Sequence, residues 1–505
     1  MVRVILCCVV LCSLVVLGDI SMAAIGQFEG QGDVGDACDI GIPGSAAFDS
    51  AKNEYRITAS GYNMWFDRDA FHFLYNKVEG DMVMVADINF VGKGKVAHRK
   101  AGWIVRQSLD KDSAFIGAIV HGDGLIALQW RPVKGGQMSD DLEILRTVKE
   151  IVPIKLERHG DVFTLSVAPD GKTFQSVGSI SLALTDPVYA GLVVCSHDAN
   201  TAETAVFSDV KFEKQGVVNM KERVLESTLE TISLENGERK IVYRARQHFE
   251  APNWTPDGKT LLFNNSDNGL IYTIPVEGGL PQLLDTGEAK KCNNDHGLSF
   301  DGKFLAVSSQ HTSDGKSRIY VLPITGGAAR LVTPKAPSYW HGWSPDGKTL
   351  AYCAERNKEF DIYAIPAEGG EETRLTNTPG KDDGSEYSPD GKYIFFNSDR
   401  TGLMKIWRMN ADGSDQQQVT TDKEYADWFA HPSPDGKWLV FVSYDKSVKD
   451  HPANKDVVLR IMPFAGGKPK ILANLFGGQG TMNVPSWSPD SKRIAFVSYQ
   501  LLPPK

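Results

Sequence analysis

The sequence lacks the features that mark several whole classes of function. It has no long basic run, and its 54 Lys and Arg are outnumbered by 63 Asp and Glu, for a net charge of −9. That balance argues against nucleic acid or an anionic membrane surface as the main partner. From 25 to 214 no helical period of useful length appears. No serine elbow, Walker loop or CxxC pair is present, so the chemistry those motifs bring has no basis here. The one long apolar run, Val4 to Gly18, is 15 residues, short of the ~20 needed to span a bilayer. Arg3 precedes it and the small-residue pattern Ser21-Met22-Ala23 follows. The segment 1–24 therefore reads as a secretory signal cleaved after Ala23 or Ala24, leaving a secreted or periplasmic chain without a membrane span.

Cysteine is also scarce. Of seven, Cys7, Cys8 and Cys12 leave with the signal. Cys38 and Cys195 stand near the two ends of one β region, where first and last strands often pair, so a disulfide between them stays open in an oxidising compartment. Cys292 and Cys353 sit in separate repeats and are expected to be unpaired.

What the chain has in quantity is glycine, 48, and proline, 25, scattered along 505 residues. That length exceeds one core, and the punctuation suits many short strands, an all-β protein. From 25 to 214 the segments "EYRITASG", "DMVMVADINFV", "AFIGAIVHG", "LIALQWR", "IKLERHG", "VFTLSVAPDG" and "YAGLVVCSH" alternate with period two between polar turns. This is the pattern of a two-sheet jelly-roll sandwich. The order "YNMWFDRDAFHFLYNKVEGD", "KAGWIVRQSL", "LERHGDVFTLSVAPDGKTFQSVGSI" and "YAGLVVCSHDANTAETAVFSDVKF" resembles the concanavalin A-like modules of secreted bacterial carbohydrate-active proteins. The resemblance implies a fold often used for glycan binding. Candidate contacts are Trp65, His72, Trp103, Arg106, Gln129, Trp130 and Arg131, because sugars are held by aromatic faces and bidentate polar groups. Alternation puts Gln129 and Arg131 on one face and Trp130 on the other. Trp65 and Trp103 are better read as core, which leaves Arg106, Gln129 and Arg131 as the ligand set.

The region 215–505 is periodic. "WTPDGKTLLF", "LSFDGKFLAV", "WSPDGKTLAY", "YSPDGKYIFF", "PSPDGKWLVF" and "WSPDSKRIAF" place Thr255, Ser299, Ser344, Ser388, Ser433 and Ser488 in one register, at intervals of 44, 45, 44, 45 and 55. Each copy holds four strands, as a propeller blade does. Asp-Gly supplies a turn in which glycine takes positive φ, so the Asp of each motif is a turn residue. The aromatic residue before the motif is expected to wedge between neighbouring blades. "NADGSD" at 410–415 looks like a calcium loop but falls in a strand-to-strand turn. The last copy stops after two strands, and "LETISLENG" and "RKIVYRA" stand unassigned before the first. Joined, they complete a sixth blade and leave no open edge. In particular, 493–497 should pair with the strand around 229–234.

These repeats resemble the TolB-like propeller family, most plainly in "HFEAPNWTPDGKTLLFN", "DDGSEYSPDGKYIFFNSDRTGLMKIWRMNADGS" and "FGGQGTMNVPSWSPDSKRIAFVSYQ". The resemblance implies an interaction scaffold of the cell envelope. TolB proper carries an α/β domain before its propeller, where this chain carries a β sandwich.

Counting back from each Ser or Thr, His296 and His341 share one register, Glu386 and His431 the next, with Asp295 and Asp383 beside them. Imidazoles and carboxylates converging on a channel axis suit zinc, manganese or an acidic sugar. Oligogalacturonate lyases are propellers of similar repeat type, and the resemblance implies metal ligation by His296, His341 and His431. That family has seven blades, however, and its paired histidine motif is reduced here to "WFAHPSPDG". The expectation is a binder of glycan or cell-envelope protein. The alternative is a metal-dependent lyase or hydrolase acting on acidic oligosaccharides.

Overall fold

The computed structural model describes residues 24–138, 143–147 and 152–504. The expected signal, residues 1–24, lies outside the described residues except for Ala24.

Two seven-stranded antiparallel sheets make up the N-terminal unit. One runs Gly30–Val34, Phe71–Val78, Val188–Cys195, Lys100–Arg106, Phe115–His121, Leu125–Arg131, Glu143–Thr147. The other runs Gln175–Ser181, Val162–Val167, Pro153–His159, Asp81–Phe90, Asp198–Gly216, Glu54–Gly61, Ser45–Asp49. Period-two alternation sends one side chain in two inward. Trp103, Leu128 and Trp130 from the first sheet thus share a core with Ile57, Met84, Leu156 and Phe163 from the second. Each such fully buried aliphatic or aromatic side chain stabilises by about 1.5–3 kcal/mol. Trp130 faces this core, opposite to Gln129 and Arg131, as alternation requires.

The C-terminal part holds five four-stranded sheets and one three-stranded sheet. The latter joins both ends of the repeat region: Val224–Ser233 pairs antiparallel with Arg493–Leu502, Leu229 opposite Val497 and Ser233 opposite Arg493. The pairing expected between the two ends is present, but the sheet has three strands rather than four, the segment before the last motif contributing only the bridge Trp487–Ile494. The repeat motif explains itself. In all six copies the Ser or Thr hydroxyl donates to the motif Asp at 2.6–2.7 Å. The residue after the Asp is left-handed: a glycine in five copies, as at Gly347 (φ 69°), and Ser491 (φ 61°) in the sixth. The aromatic wedges are in place: Trp343 Nε1 donates to Gly297 O of the preceding sheet at 3.0 Å, and Trp487 Nε1 to His431 O at 2.9 Å.

The two parts share a polar seam. Arg223 pairs with Asp81 at 2.6 Å. Arg239, held by Glu230, also donates to Val177 O at 3.0 Å. Asp456 accepts from Ser181 N at 2.9 Å.

Candidate functional site

In every four-stranded sheet the innermost strand slips register at the same level. The slips fall between Glu250 and Asn253, Cys292 and His296, Trp340 and Gly342, Asp383 and Glu386, and Trp428 and His431. Ala251, Gly384 and Phe429 take left-handed φ of 58°, 61° and 54° there. A Cβ on Gly384 would stand 2.3 Å from Asn397 Oδ1, so glycine is required. Bulges of this kind re-aim side chains, and here they aim charged ones at one end of the channel.

That end carries a cavity of about 250 Å³ lined by Asp295, Tyr339, His341, Lys381, Asp383 and His451, with Phe429 and Gln479 beside them. His341 Nε2 lies 3.1 Å from Asp383 Oδ1, and its ring stacks on Phe429 at 5.9 Å. Lys381 Nζ and His451 Nε2 each lie 3.9 Å from Asp383 Oδ2. Asp295 Oδ1 accepts from Asn483 Nδ2 at 3.1 Å across the channel.

The charges are set by these neighbours. Burial pushes the Asp383 carboxyl up, but the His341 hydrogen bond and the charges of His341, Lys381 and His451 outweigh it and hold it well below the usual carboxylate range. Burial, helped by Asp383, raises Asp295 to about 6. His341 is lowered by burial, then raised further by its bond to Asp383 and by the charges of Asp295, Asp383 and Glu386, and ends above an ordinary histidine. Burial holds His451 below one. Such a cavity orders a small charged or polar group between an ionised carboxylate, a carboxyl poised near pH 6 and the cations His341 and Lys381.

The opposite mouth differs. A cavity of about 480 Å³ is rimmed by Trp254, Trp343, Trp487, motif prolines and Glu386. Glu386 Oε2 lies 2.5 Å from His431 Nδ1.

The expected site residues therefore divide. His341, Asp295 and Asp383 meet in the smaller cavity. Glu386 and His431 pair with each other, and Glu386 faces the larger one. His296 joins neither. It is fully buried, with both ring nitrogens unpartnered. The reason is local. His341 is the extra residue of its bulge, whereas His296 lies past a longer one and is back in register opposite Val307. Among the described residues no group of three or more His, Cys, Asp or Glu is arranged to hold a metal ion. The expected metal set of His296, His341 and His431 thus does not assemble. The 410–415 segment is a turn, with Asp412 Oδ1 accepting from Ser414 N at 3.0 Å. Lys381, Tyr339 and His451 were not legible from the repeat register. The longer last interval marks the insertion that brings His451 to the cavity.

The N-terminal candidates also move. Arg106 and Arg131 are fully buried and both pair with Asp69, at 2.6 and 2.7 Å. Gln129, equally buried, donates to Met64 O at 3.2 Å. The three are internal and pin the hairpin Met64–Asp69 from beneath; they present no sheet face to a glycan. Trp103 is core, as expected, but Trp65 is half-buried on that hairpin, with the Lys100 ammonium 5.6 Å over its ring. His72 is buried against Asp33. No disulfide joins Cys38 and Cys195: Cys38 is exposed, while the Cys195 thiol is buried against Gly61 O at 3.4 Å.

Comparison with known proteins places the repeats. A model of the TolB beta propeller domain matches residues 334–462. An uncharacterized protein of Agrobacterium fabrum is 51% identical over 276 residues, 54% of this chain and 93% of that protein. The solved structure of an Agrobacterium tumefaciens protein assigned as TolB is 50% identical, with a TM-score of 0.53, over 55% of this chain and 99% of the other. A tricorn protease homolog of Streptomyces coelicolor is 28% identical over 134 residues, 25% of this chain but only 12% of that protein. Through its repeat-bearing part, the chain belongs to the TolB-like β-propeller family.

Proposed function

We propose that this is a secreted or periplasmic binding protein, exported by its 1–24 segment. On this reading a concanavalin A-like jelly-roll sandwich (25–214) stands beside a six-bladed propeller (215–505). The propeller acts as an interaction scaffold, and its charged channel mouth engages a cell-envelope protein. Two seven-stranded sheets around one core support the sandwich. Five four-stranded sheets plus the sheet shared by both ends support six blades. One observation carries the binding role. Bulges in successive sheets, with the 446–454 loop, bring Asp295, His341, Lys381, Asp383 and His451 to one cavity. Charged groups at such a mouth give an interface its specificity and steer encounter.

The test immobilises the wild type and a Lys381→Glu variant and exposes both to cell-envelope extract from the source organism. A partner retained by the wild type and lost by the variant, with melting unchanged, supports the reading. Equal retention by both moves the interface elsewhere.

One observation favours the enzymatic alternative. Asp295, near 6, and Asp383, well below it, are carboxyls pushed apart in a single cavity, as an acid and a base are. Release of unsaturated or reducing ends from acidic oligosaccharides, lost in Asp383→Asn, would establish it. Inert substrates across the class leave binding as the role.

A further inference from the structure

We propose that His98 and His121 form a binding site for a divalent transition-metal ion of the zinc–copper class, on the outer face of the first N-terminal sheet. Strand pairing assembles it. Lys100 lies directly opposite both His121 and Cys195 in neighbouring strands, so the three side chains stand in one row, on the face away from the shared core. His98 precedes Lys100 by two residues and reaches the same face. Its Nδ1 lies 3.3 Å from His121 Nδ1, with ring centroids 5.5 Å apart. Two imidazole nitrogens bound to one tetrahedral ion at 2.0–2.1 Å stand about 3.3 Å apart. The ion would take the place of the single proton that the two nitrogens now share.

A second observation points the same way. The Gln129 side chain stands against His121 in the buried part of the site, where Gln129 Oε1 and His121 Nε2 meet no other group. An ion on His121 Nδ1 fixes the ring proton on Nε2, where it donates to Gln129 Oε1. This is the outer-shell bond that metal-bound histidines usually make.

His98 is exposed, so an ion has an entry path. The Lys100 ammonium, 2.8 Å from Asn63 Oδ1, opposes any dication. The site therefore selects ions with a strong preference for imidazole and rejects magnesium and calcium. His197, its ring 6.3 Å from that of His98, flanks the pair. Since no three-ligand group is prearranged among the described residues, water completes the coordination.

The experiment is calorimetric titration of the full chain with Zn²⁺, Cu²⁺ and Mg²⁺ at neutral pH, repeated on His98→Ala, Gln129→Leu and His311→Ala. The wild type and His311→Ala should bind one equivalent of Zn²⁺ or Cu²⁺ and no Mg²⁺ at this site. His98→Ala, an exposed change that leaves folding intact, should weaken binding at least about tenfold, and Gln129→Leu by a similar factor. Absence of a stoichiometric site in the wild type, or undiminished affinity in His98→Ala, overturns the proposal.

Discussion

Replacing His296 with leucine should flatten the acid limb of the propeller's stability curve. The imidazole is fully buried opposite Val307, neither nitrogen has a partner, and burial pushes its pKa down to about 3. In the unfolded chain it titrates near the ordinary value of about 6.5. Between those values the unfolded state binds a proton that the folded state refuses. The site's contribution is thus whole above pH 6.5 and is lost as pH falls toward 3. At pH 4.5, two pH units below the unfolded value at about 1.4 kcal/mol each, the loss is about 3 kcal/mol. Asp295 works the other way. Its raised carboxyl gains stability as pH falls from about 6 toward the ordinary carboxylate value, so the wild-type curve alone would hide the effect. The difference between the two proteins isolates it. Leucine is apolar and of similar bulk, so repacking costs little next to the titration. Urea melts of both proteins at pH 7.5 and 4.5 should show the wild type losing about 3 kcal/mol more than His296→Leu. Parallel losses would refute the reasoning.

Asp69→Ala should destabilise the N-terminal unit by about 3–5 kcal/mol, because it strands Arg106 and Arg131 as buried, uncompensated charges; a separate propeller transition in calorimetry should not move. Deleting 491–505 removes the strand that pairs along Val224–Ser233 and reopens two sheet edges. The propeller transition should vanish while that of the N-terminal unit survives, and an unchanged propeller melt would contradict closure.

Much of the fold was legible because its signals are local. A hydroxyl two residues before an Asp, followed by a left-handed residue that is glycine in five copies and Ser491 in the sixth, makes the same turn wherever it occurs, so six copies counted along the chain became six turns in space. Period-two alternation likewise put Trp130 on the face opposite Gln129 and Arg131 without knowledge of their neighbours. Arg106 and Arg131 were misplaced because alternation gives a face but not what covers it. Only the hairpin that returns Asp69 over that face makes it an interior, and nothing in "LQWR" announces that hairpin.

The channel site failed to read for a more specific reason. Distance from the Ser-Pro-Asp-Gly turn fixes how far along the innermost strand a residue lies, but a bulge between that residue and the previous hydrogen-bonded pair fixes where it points. His296 and His341 share the first quantity and differ in the second, and one buries while the other faces an ionised carboxylate. Position in a repeat is therefore a statement about depth in the channel, whereas direction belongs to each sheet's own bulge. Loops that break the period, as the long last interval does at His451, belong to the site on equal terms with the repeat. A propeller of this family can thus keep its ring and change its ligand by moving a single bulge, with every repeat motif left untouched.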